Sequence, residues 1–482
     1  MIKSLNRNSG PATIEISRRA AALWLAILVA VALLGAVAYR ERHADYPRVA
    51  EPPRDPGLHQ AALPLRLDPE RRHLVDRNGT PFLILGDAGW SLIAQLKNED
   101  AETYLEDRRR RGFDLVMVNL IEHWFADRAP LNAYGTPPFA VSGDFARPVD
   151  AYFDHARDVV KIAARKGIVV LLCPAYLGGD GGPEGWYREM RQNGPAKLAE
   201  YGRYVGARFR EFDNVIWLLG GDFTPPAEDL GLVSAVARGI HEAAPDQLLT
   251  AEWSPETSAF DVAAGKALDI DTTYTYEPAY LKSLADYDHE GGRARLLIES
   301  QYEHERGSTQ RSLRAQAYYG LLTGAMGEVY GNGRIFGFAR PTLWRRLAGR
   351  DWRAELDSPG ARSMEFVRML FEGLAWTTLV PDEDYEVLLT GQGSKGSLDY
   401  PVLAWSRDGR LAVSYVPIGS AVTIDLGKLK APVKARWFDP TNGSFAAAAG
   451  SPFAAAAERE FLPPGVNASG DKDWVLVLEH QP

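Results

Sequence analysis

The sequence has almost no cysteine. Its 482 residues include one, Cys173, so an internal disulfide framework is excluded. No zinc-type ligand spacing accompanies this cysteine, and the metalloprotease pattern His-Glu-x-x-His is absent. We therefore predict neither a metal site nor a cofactor.

A long basic run is lacking as well. The chain has 54 Lys and Arg against 63 Asp and Glu, and its net charge of −9 is spread along the sequence. Because nucleic-acid binding needs clustered positive charge, we expect no nucleic-acid partner. Aromatic residues are plentiful, with 12 Trp and 20 Tyr, which suit sugar stacking and a large core equally. The length indicates two folded units and a tail, and the oligomeric state stays open.

The N-terminal region contains an uncharged apolar run at residues 20–39, about long enough to span a bilayer. Four basic residues precede it, which predicts a cytoplasmic segment at 1–19 and an exported remainder. Ala36-Val-Ala38 offers a signal-peptidase site, so cleavage and secretion are the alternative. We favour an uncleaved transmembrane helix in the inner membrane, with a Pro- and Arg-rich linker at 40–63. In both cases the folded part is extracytoplasmic, periplasmic or at the cell surface.

The rest of the chain is predicted to be an α/β domain followed by an all-β domain. Over residues 64–372, apolar strand-like segments alternate with helical periodicity, and eight such units match the size of a (β/α)8 TIM barrel. An open doubly wound sheet is the alternative, but no G-x-G-x-x-G follows the first strand. Over residues 373–482, short strands separated by Asp408-Gly409 and Asn442-Gly443 turns predict a small antiparallel β-sandwich.

The most informative stretch is Asn214-Val-Ile-Trp-Leu-Leu-Gly-Gly-Asp222, an apolar strand that ends in two glycines and an acid. Catalytic groups of such barrels lie at the carboxyl ends of the strands, so we predict that Asp222 is one of a pair of catalytic carboxylates. Glu299, directly after Arg-Leu-Leu-Ile, is its predicted partner, and Glu303 is the rival. The Thr224 hydroxyl followed by two prolines predicts the start of the next helix.

Other polar and aromatic residues follow the predicted strands, and these are our candidates for substrate binding. Each has an alternative structural interpretation, such as core packing for the tryptophan or a local turn for the first aspartate. Glu122 is also a third candidate acid. The predicted substrate-binding residues are Asp87, Trp90, Asn119, Glu122, His123, Tyr276, Tyr302 and Asn332.

Four segments resemble two domains of a known family. The His73–Trp90 segment, HLVDRNGTPFLILGDAGW, is similar to the opening of the apiosidase-like (DUF4038) catalytic domain of glycoside hydrolase family 140, and Glu99–Asn119 fits its continuation. Trp352–Asp382 and Lys434–Gly443 resemble the "collagen-binding" β-sandwich domain that accompanies it. Together the resemblance covers nearly everything after residue 65. The sequence shows no set of protease catalytic residues, so the domain's name does not predict collagenase activity.

The resemblance implies a (β/α)8 glycosidase that uses two carboxylates, one after the fourth strand and one after the seventh. By position these are Asp222 as acid/base and Glu299 as nucleophile. The family's activity is the release of apiose from a branched pectic side chain. The segments Trp253–Glu256 and Tyr274–Tyr276 depart from the family's pattern. The resemblance therefore predicts the type of reaction more firmly than the identity of the substrate.

We therefore expect an extracytoplasmic, retaining glycoside hydrolase that acts on a plant or bacterial oligo- or polysaccharide. The alternative is a non-catalytic carbohydrate-binding or exopolysaccharide-assembly protein on the same barrel.

Overall fold

The computed structural model describes residues 61–262, 267–290, 293–338, 351–454 and 457–481. The predicted cytoplasmic segment, the transmembrane helix and residues 40–60 of the linker lie outside these ranges. No helix in the described ranges is long and apolar enough to cross a membrane.

Eight parallel strands form the main sheet, as predicted for a (β/α)8 barrel. The strands are β4 (Ile84–Ala88), β5 (Leu115–Asn119), β6 (Val169–Cys173), β7 (Val215–Gly220), β8 (Leu249–Glu252), β9 (Asp271–Tyr274), β10 (Arg295–Glu299) and β11 (Gly327–Tyr330). Their order in the sheet is β8-β7-β6-β5-β4-β11-β10-β9, so strands that are neighbours in sequence pair with one another except β8 and β9, and the first strand, β4, pairs with the last, β11.

Threonine hydroxyls connect the two ends of this sheet. The Thr272 hydroxyl of β9 donates to the Ala251 carbonyl at 2.6 Å, and the Thr250 hydroxyl of β8 donates to the Ile270 carbonyl at 2.8 Å. These bonds close the barrel where the regular ladder is weakest. The barrel is the fold that the alternation of strands and helices predicted.

Apolar side chains fill the barrel, and a small antiparallel sheet lies at its amino end. That sheet consists of β1 (Arg66–Leu67), β2 (Leu74–Val75) and β3 (Pro81–Phe82). Leu74 and Phe82 join the same buried cluster as the interior strand residues. The amino end is thus covered, and the carboxyl end is left for a site.

Helices surround the barrel and bury their apolar faces against the outward side chains of the strands. In the helix Tyr187–Phe209, Gly194 has φ 73° and is followed by Pro195, which marks a kink. The α-helices of the described ranges are Leu92–Gln95, Asn98–Arg110, Asp150–Arg165, Tyr187–Phe209, Leu230–Ala243, Ala279–Glu290, Gln310–Leu322, Trp352–Glu355 and Pro359–Glu372.

One local prediction is wrong. Thr224 does not begin a helix, because the helix after β7 starts at Leu230. The Thr224 hydroxyl instead accepts from the Ser254 backbone N–H at 3.1 Å, and its own N–H donates to the Ser254 hydroxyl at 2.9 Å. This reciprocal pair ties together the loops that follow β7 and β8.

The C-terminal part is an antiparallel sandwich, as predicted. One sheet has the order β12-β14-β15-β20-β17-β18 and the other β13-β16-β19, with a shared apolar core. The strands are β12 (Leu379–Pro381), β13 (Leu388–Thr390), β14 (Val402–Ser406), β15 (Leu411–Val416), β16 (Val422–Asp425), β17 (Val433–Phe438), β18 (Phe445–Ala447), β19 (Glu458–Phe461) and β20 (Trp474–His480).

The sandwich packs on the barrel helix Gln310–Leu322 through buried polar and aromatic contacts. The fully buried Arg314 guanidinium contacts both oxygens of Asp473 at 2.9 Å. Nearby, Tyr318 stacks on Tyr415 with ring centroids 4.9 Å apart. A buried charge pair is costly to separate, so these contacts hold the sandwich firmly against the barrel.

Candidate active site

The carboxyl end of β7 leads directly into Asp222 through an unusual backbone. Gly220, Gly221 and Asp222 have consecutive positive φ angles of 83°, 104° and 53°. A non-glycine residue rarely adopts such a conformation, and its strain is characteristic of functional sites. The turn ends the strand and brings the Asp222 carboxylate to the barrel mouth, where it meets the Tyr274 hydroxyl.

Glycine is required at the two positions before Asp222. A Cβ atom at Gly220 would lie 2.1 Å from the Glu252 carbonyl oxygen, and one at Gly221 would lie 2.3 Å from the Tyr176 ring. The close approach also makes a bond, since the Gly221 N–H donates to the Glu252 carbonyl at 2.7 Å. The glycines therefore let β7 and β8 meet tightly beneath the acid.

Glu299 reaches the barrel mouth through a shift in strand register. Leu297 points outward, against Gly320 of a surrounding helix. Simple alternation would send Glu299 outward too. However, Leu297 pairs with Thr273 and Glu299 with Tyr274, so β10 carries one extra residue, Ile298, at a β-bulge. Bulges re-aim side chains, and this one turns Glu299 to the interior.

A chain of tyrosine hydroxyls links the two predicted catalytic carboxylates. The Tyr176 hydroxyl donates to Asp222 Oδ2 at 2.7 Å, and the Tyr274 hydroxyl donates to Oδ1. The Tyr274 and Tyr276 hydroxyls are 2.7 Å apart, and Tyr276 donates to Glu299 Oε1 at 2.9 Å. The structure thus brings Asp222 and Glu299 into one hydrogen-bonded cluster.

Trp90 and Tyr302 complete the surroundings of Glu299. The Tyr302 hydroxyl donates to Glu299 Oε2 at 2.9 Å, and the Trp90 indole N–H donates to the Tyr302 hydroxyl at 3.1 Å. The Trp90 ring also contacts Tyr176, with centroids 5.6 Å apart. Both predicted binding residues therefore lie at the cluster, where they hold its geometry.

The sequence interpretation missed three members of this cluster: Tyr176, Tyr274 and Glu252. The tyrosines follow no motif that marks a carboxylate partner. Glu252 had a usable signal, since it is an acid at the end of an apolar strand, the pattern that singled out Asp222 and Glu299. In the described part of the chain, neither Glu252 carboxyl oxygen has a hydrogen-bond partner.

Burial and mutual repulsion dominate the electrostatics of the cluster. Burial raises the pKa of the Glu299 carboxyl, and the negative charge of Asp222 raises that pKa further. Hydrogen bonds from the Tyr302 and Tyr276 hydroxyls lower it in part. Burial, followed by the charges of Glu299 and Asp222, raises the pKa of Glu252 well above its usual range. The cluster therefore retains protons that isolated carboxyls would lose.

Glu122 organises the loop after β5. Its Oε1 accepts from the backbone N–H groups of His123, Trp124 and Phe125 at 2.9, 3.1 and 3.3 Å, and its Oε2 accepts from the Ser91 hydroxyl at 2.6 Å. The side chain is fully buried. These four bonds use the carboxylate to fix the loop, which does not favour its predicted role as a third acid or as a sugar ligand.

The other predicted residues of this loop differ in accessibility. Asn119 is buried and donates to Glu122 at 3.4 Å, while its Oδ1 lacks a partner in the described ranges. His123 is partly exposed, with Nε2 3.5 Å from Glu189 Oε1. Trp124 is 62% exposed, which is unusual for the largest apolar side chain. The loop thus presents a fixed aromatic face to solvent.

Asp87 lies away from the cluster, on the outer side of its strand. It is fully buried, accepts from the Tyr104 hydroxyl at 2.7 Å and contacts the Arg108 guanidinium at 3.1 Å. Both partners belong to the helix Asn98–Arg110. This position joins strand to helix and does not favour the predicted contact with substrate.

Asn332 also has structural partners. Its amide donates to Glu303 at 3.3 Å, and Glu303 accepts from the Tyr330 hydroxyl and from the Gly360 N–H. The Glu303 carboxylate therefore binds the first turn of the helix Pro359–Glu372 and the end of β11. Of the two rival acids, it is Glu299 that lies in the cluster with Asp222.

In the ranges that the structure describes, no group of three or more His, Cys, Asp or Glu residues is arranged to hold a metal ion. The side chains that meet around Asp222 and Glu299 carry carboxyls and phenol hydroxyls.

Two family models match the chain. Residues 68–378 match "Apiosidase-like, catalytic domain". The chain belongs to the apiosidase-like family. Residues 383–479 match "Putative collagen-binding domain of a collagenase", so both resemblances seen in the sequence are confirmed. The protein is a glycoside hydrolase.

Solved structures share the architecture of this apiosidase-like protein. A glycoside hydrolase family 5 protein from Bacteroides vulgatus is similar with a TM-score of 0.74 and 20% identity, over 86% of this chain and 93% of that one. A protein described as a glycoside hydrolase is similar with a TM-score of 0.74 and 21% identity, over 87% and 99%. At these identities the likeness shows the fold. Among curated proteins, none matches the chain.

Proposed function

We propose that this protein is a retaining glycoside hydrolase in which Asp222 is the acid/base and Glu299 the nucleophile. The observation that carries the proposal is the pair of touching hydroxyls between the two acids, that of Tyr274 on Asp222 and that of Tyr276 on Glu299. This short chain of contacts brings both carboxyls to one barrel mouth, where one acid can protonate the glycosidic oxygen while the other attacks the anomeric carbon, as a retaining mechanism requires.

The reaction has two steps. Protonated Asp222 gives its proton to the glycosidic oxygen while the Glu299 carboxylate attacks the anomeric carbon, which breaks the glycosidic bond and forms a glycosyl ester. Asp222, now ionised, then takes a proton from water, whose oxygen displaces Glu299. Asp222 is the more exposed of the two acids, which suits a group that exchanges protons with water. Glu299 is 6% exposed and held by two hydroxyls, which suits a fixed nucleophile.

The substrate is a sugar chain of a plant or bacterial polysaccharide. Trp90, Tyr276 and Tyr302 surround Glu299 and would contact the sugar whose bond is cut, while Asn119 and His123 line the neighbouring loop. The exposed Trp124 offers a face on which a further sugar ring can stack. A fixed aromatic outside the cluster supports a chain of several sugars over a small glycoside.

We place the enzyme outside the cytoplasm, anchored in the inner membrane by residues 20–39. The apolar run and the basic residues before it support this location. Fractionation of cells that express the full chain should find it in membranes and accessible to external protease after the outer barrier is opened. Recovery of the intact chain in the cytoplasmic fraction would contradict the location.

Activity is tested by incubating the protein with a panel of plant and bacterial polysaccharides and measuring the sugar released. Asp222→Asn and Glu299→Gln should each abolish release, because each removes a group that makes or breaks a bond. Glu303→Gln is a matched control, an acid four residues from Glu299 that lies outside the cluster, and this variant should retain activity. Full activity in both Asp222→Asn and Glu299→Gln would overturn the assignment.

A further inference from the structure

The cluster contains a third carboxyl, Glu252, at the end of β8. Leu249 and Ala251 of this strand pack in the apolar layer between barrel and helices. Because side chains of a strand alternate, Glu252 points to the interior. It is 1% exposed, and its backbone carbonyl accepts from the Gly221 N–H at 2.7 Å, so Glu252 lies next to the turn that carries Asp222. The charges of Glu299 and Asp222 both act on its carboxyl at the floor of the site.

The partners of Glu252 and Glu299 differ. Glu299 accepts two hydroxyl hydrogen bonds, from Tyr276 and Tyr302, and these favour its ionised form. Glu252 receives no hydrogen bond from the described residues, and both its oxygens are buried. An ionised carboxylate without donors in such a place would be very costly.

The ionisable groups that interact with Glu252 are acids on every side. No cation contributes to its pKa; the contributions besides burial come from Glu299 and Asp222. The groups that face it from neighbouring strands and loops are Cys173 from β6, Tyr176 and Asp222 from the loops after β6 and β7, Tyr274 from β9, Glu299 from β10 and Tyr302 from the loop after β10.

Glu252 and Glu299 are neighbouring buried carboxyls that cannot both be ionised, so one of this pair keeps its proton, whether Asp222 is protonated or ionised. The hydroxyl donors decide which one. Glu299 is stabilised as the anion and Glu252 is not, so the proton stays on Glu252. Two ionised carboxylates cannot hydrogen-bond each other, but a protonated carboxyl can donate to an ionised one.

Building on the proposed function, we propose that Glu252 is a positioning residue whose protonated carboxyl donates a hydrogen bond to Glu299. This bond adds to those from Tyr276 and Tyr302, and it keeps the nucleophile ionised and directed towards the sugar. Glu252 keeps its proton throughout the reaction and forms no bond with the substrate.

Two substitutions separate this role from simple space filling. Glu252→Gln stays neutral and keeps a donor, so kcat/KM should remain within about threefold of wild type. Glu252→Leu fills similar space without a donor. It should lower kcat/KM by about 10- to 100-fold, the effect of losing a hydrogen bond to a charged group, and move the acidic limb of the pH profile upward by about 1–2 units.

A second measurement does not depend on the substrate. The infrared C=O band of protonated carboxylic acids, recorded at pH 6, should lose intensity in Glu252→Gln. Glu328→Gln is the matched control. Glu328 is a buried strand glutamate that faces the helix layer, and burial raises its pKa to about 8. This variant should lose a band of its own and keep full activity.

The outcomes are distinct. An unchanged infrared band in Glu252→Gln shows an ionised Glu252 and overturns the inference, whether or not Glu252→Leu folds. Equal activity and equal pH profiles in wild type and Glu252→Leu also overturn the inference. In that case, an inactive Glu299→Gln variant would show that the proposed function still holds. A wild-type protein that hydrolyses nothing overturns the proposed function, and the infrared band still reports the proton on Glu252.

Discussion

Removing one oxygen, by Tyr276→Phe, tests the cluster most sharply. The Tyr276 hydroxyl donates to Glu299 at 2.9 Å, and its ring lies 3.8 Å from the Arg306 guanidinium. Phenylalanine keeps the ring, and with it the contact to arginine. The substitution therefore removes only the hydrogen bonds of the hydroxyl.

The size of the effect follows from the charge on Glu299. A hydrogen bond to a charged group contributes about 1.5–3 kcal/mol, which corresponds to about 1–2 pKa units. The lost bond favoured the ionised form, so the pKa of Glu299 rises and a higher pH is needed to ionise the nucleophile. At pH values below this pKa, kcat/KM should fall by about 10- to 100-fold. At high pH the variant should approach the wild type.

The assay is the pH dependence of kcat/KM on the polysaccharide that the wild type cleaves. The acidic limb should move upward in Tyr276→Phe. Tyr104→Phe is the control, because it removes another tyrosine–carboxylate bond, to Asp87 at 2.7 Å, in the helix layer. This control should lower the melting temperature and leave the limb in place. An acidic limb that does not move in Tyr276→Phe would refute the assigned link between the hydroxyl and the nucleophile.

Two further predictions concern stability and substrate length. Burial raises the pKa of Glu328 from 4.5 to about 8, so wild-type stability falls as pH rises between these values, because the unfolded state ionises first. At pH 7, Glu328→Gln should raise the free energy of unfolding by up to about 3 kcal/mol, which corresponds to about 3 °C in melting temperature for a chain of 482 residues. Melting curves of wild type and Glu328→Gln that coincide at every pH from 5 to 8 would contradict this prediction. Trp124→Ala should raise KM for the polysaccharide by about 5- to 30-fold and leave kcat nearly unchanged, because stacking beyond the cleaved bond contributes about 1–2 kcal/mol to binding. An unchanged KM would show that Trp124 does not contact the substrate.

The architecture was predictable because strands and helices alternate so regularly. Apolar segments such as Val169–Cys173 and Val215–Gly220 are buried on both faces, and their composition alone marks them as central parallel strands. In the sandwich, the predicted turns Asp408-Gly409 and Asn442-Gly443 each join two antiparallel strands that pair with one another. The short strand Phe445–Ala447 is exposed throughout and belongs to an alanine run, so no alternation of apolar and polar residues predicted it.

The proposed catalytic pair was predictable in position but not in geometry. Asp222 and Glu299 follow strands, which the sequence shows, and the structure brings them together. The bulge at Ile298 that turns Glu299 inward depends on pairing between β9 and β10, and pairing is not visible in one strand's sequence.

The predicted binding residues that have structural partners share one feature. Asp87, Glu122 and Asn332 all end strands, but their partners come from elements distant in sequence or from local backbone N–H groups. A polar residue at a strand end can serve the site or the scaffold, and only its three-dimensional partners decide between them. The same reasoning explains why Tyr274 was missed, since its importance comes from contacts with Asp222 and Tyr276.

Trapping the glycosyl-enzyme tests the central claim most directly. Once the released sugar is known, its 2-fluoro derivative with an activated leaving group should react once and remain attached. Mass spectrometry of the digested protein should then find the added sugar on the peptide that contains Glu299, and Glu299→Gln should remain unlabelled. A label on another residue, or release of sugar with inverted anomeric configuration and no label, would contradict Glu299 as the nucleophile.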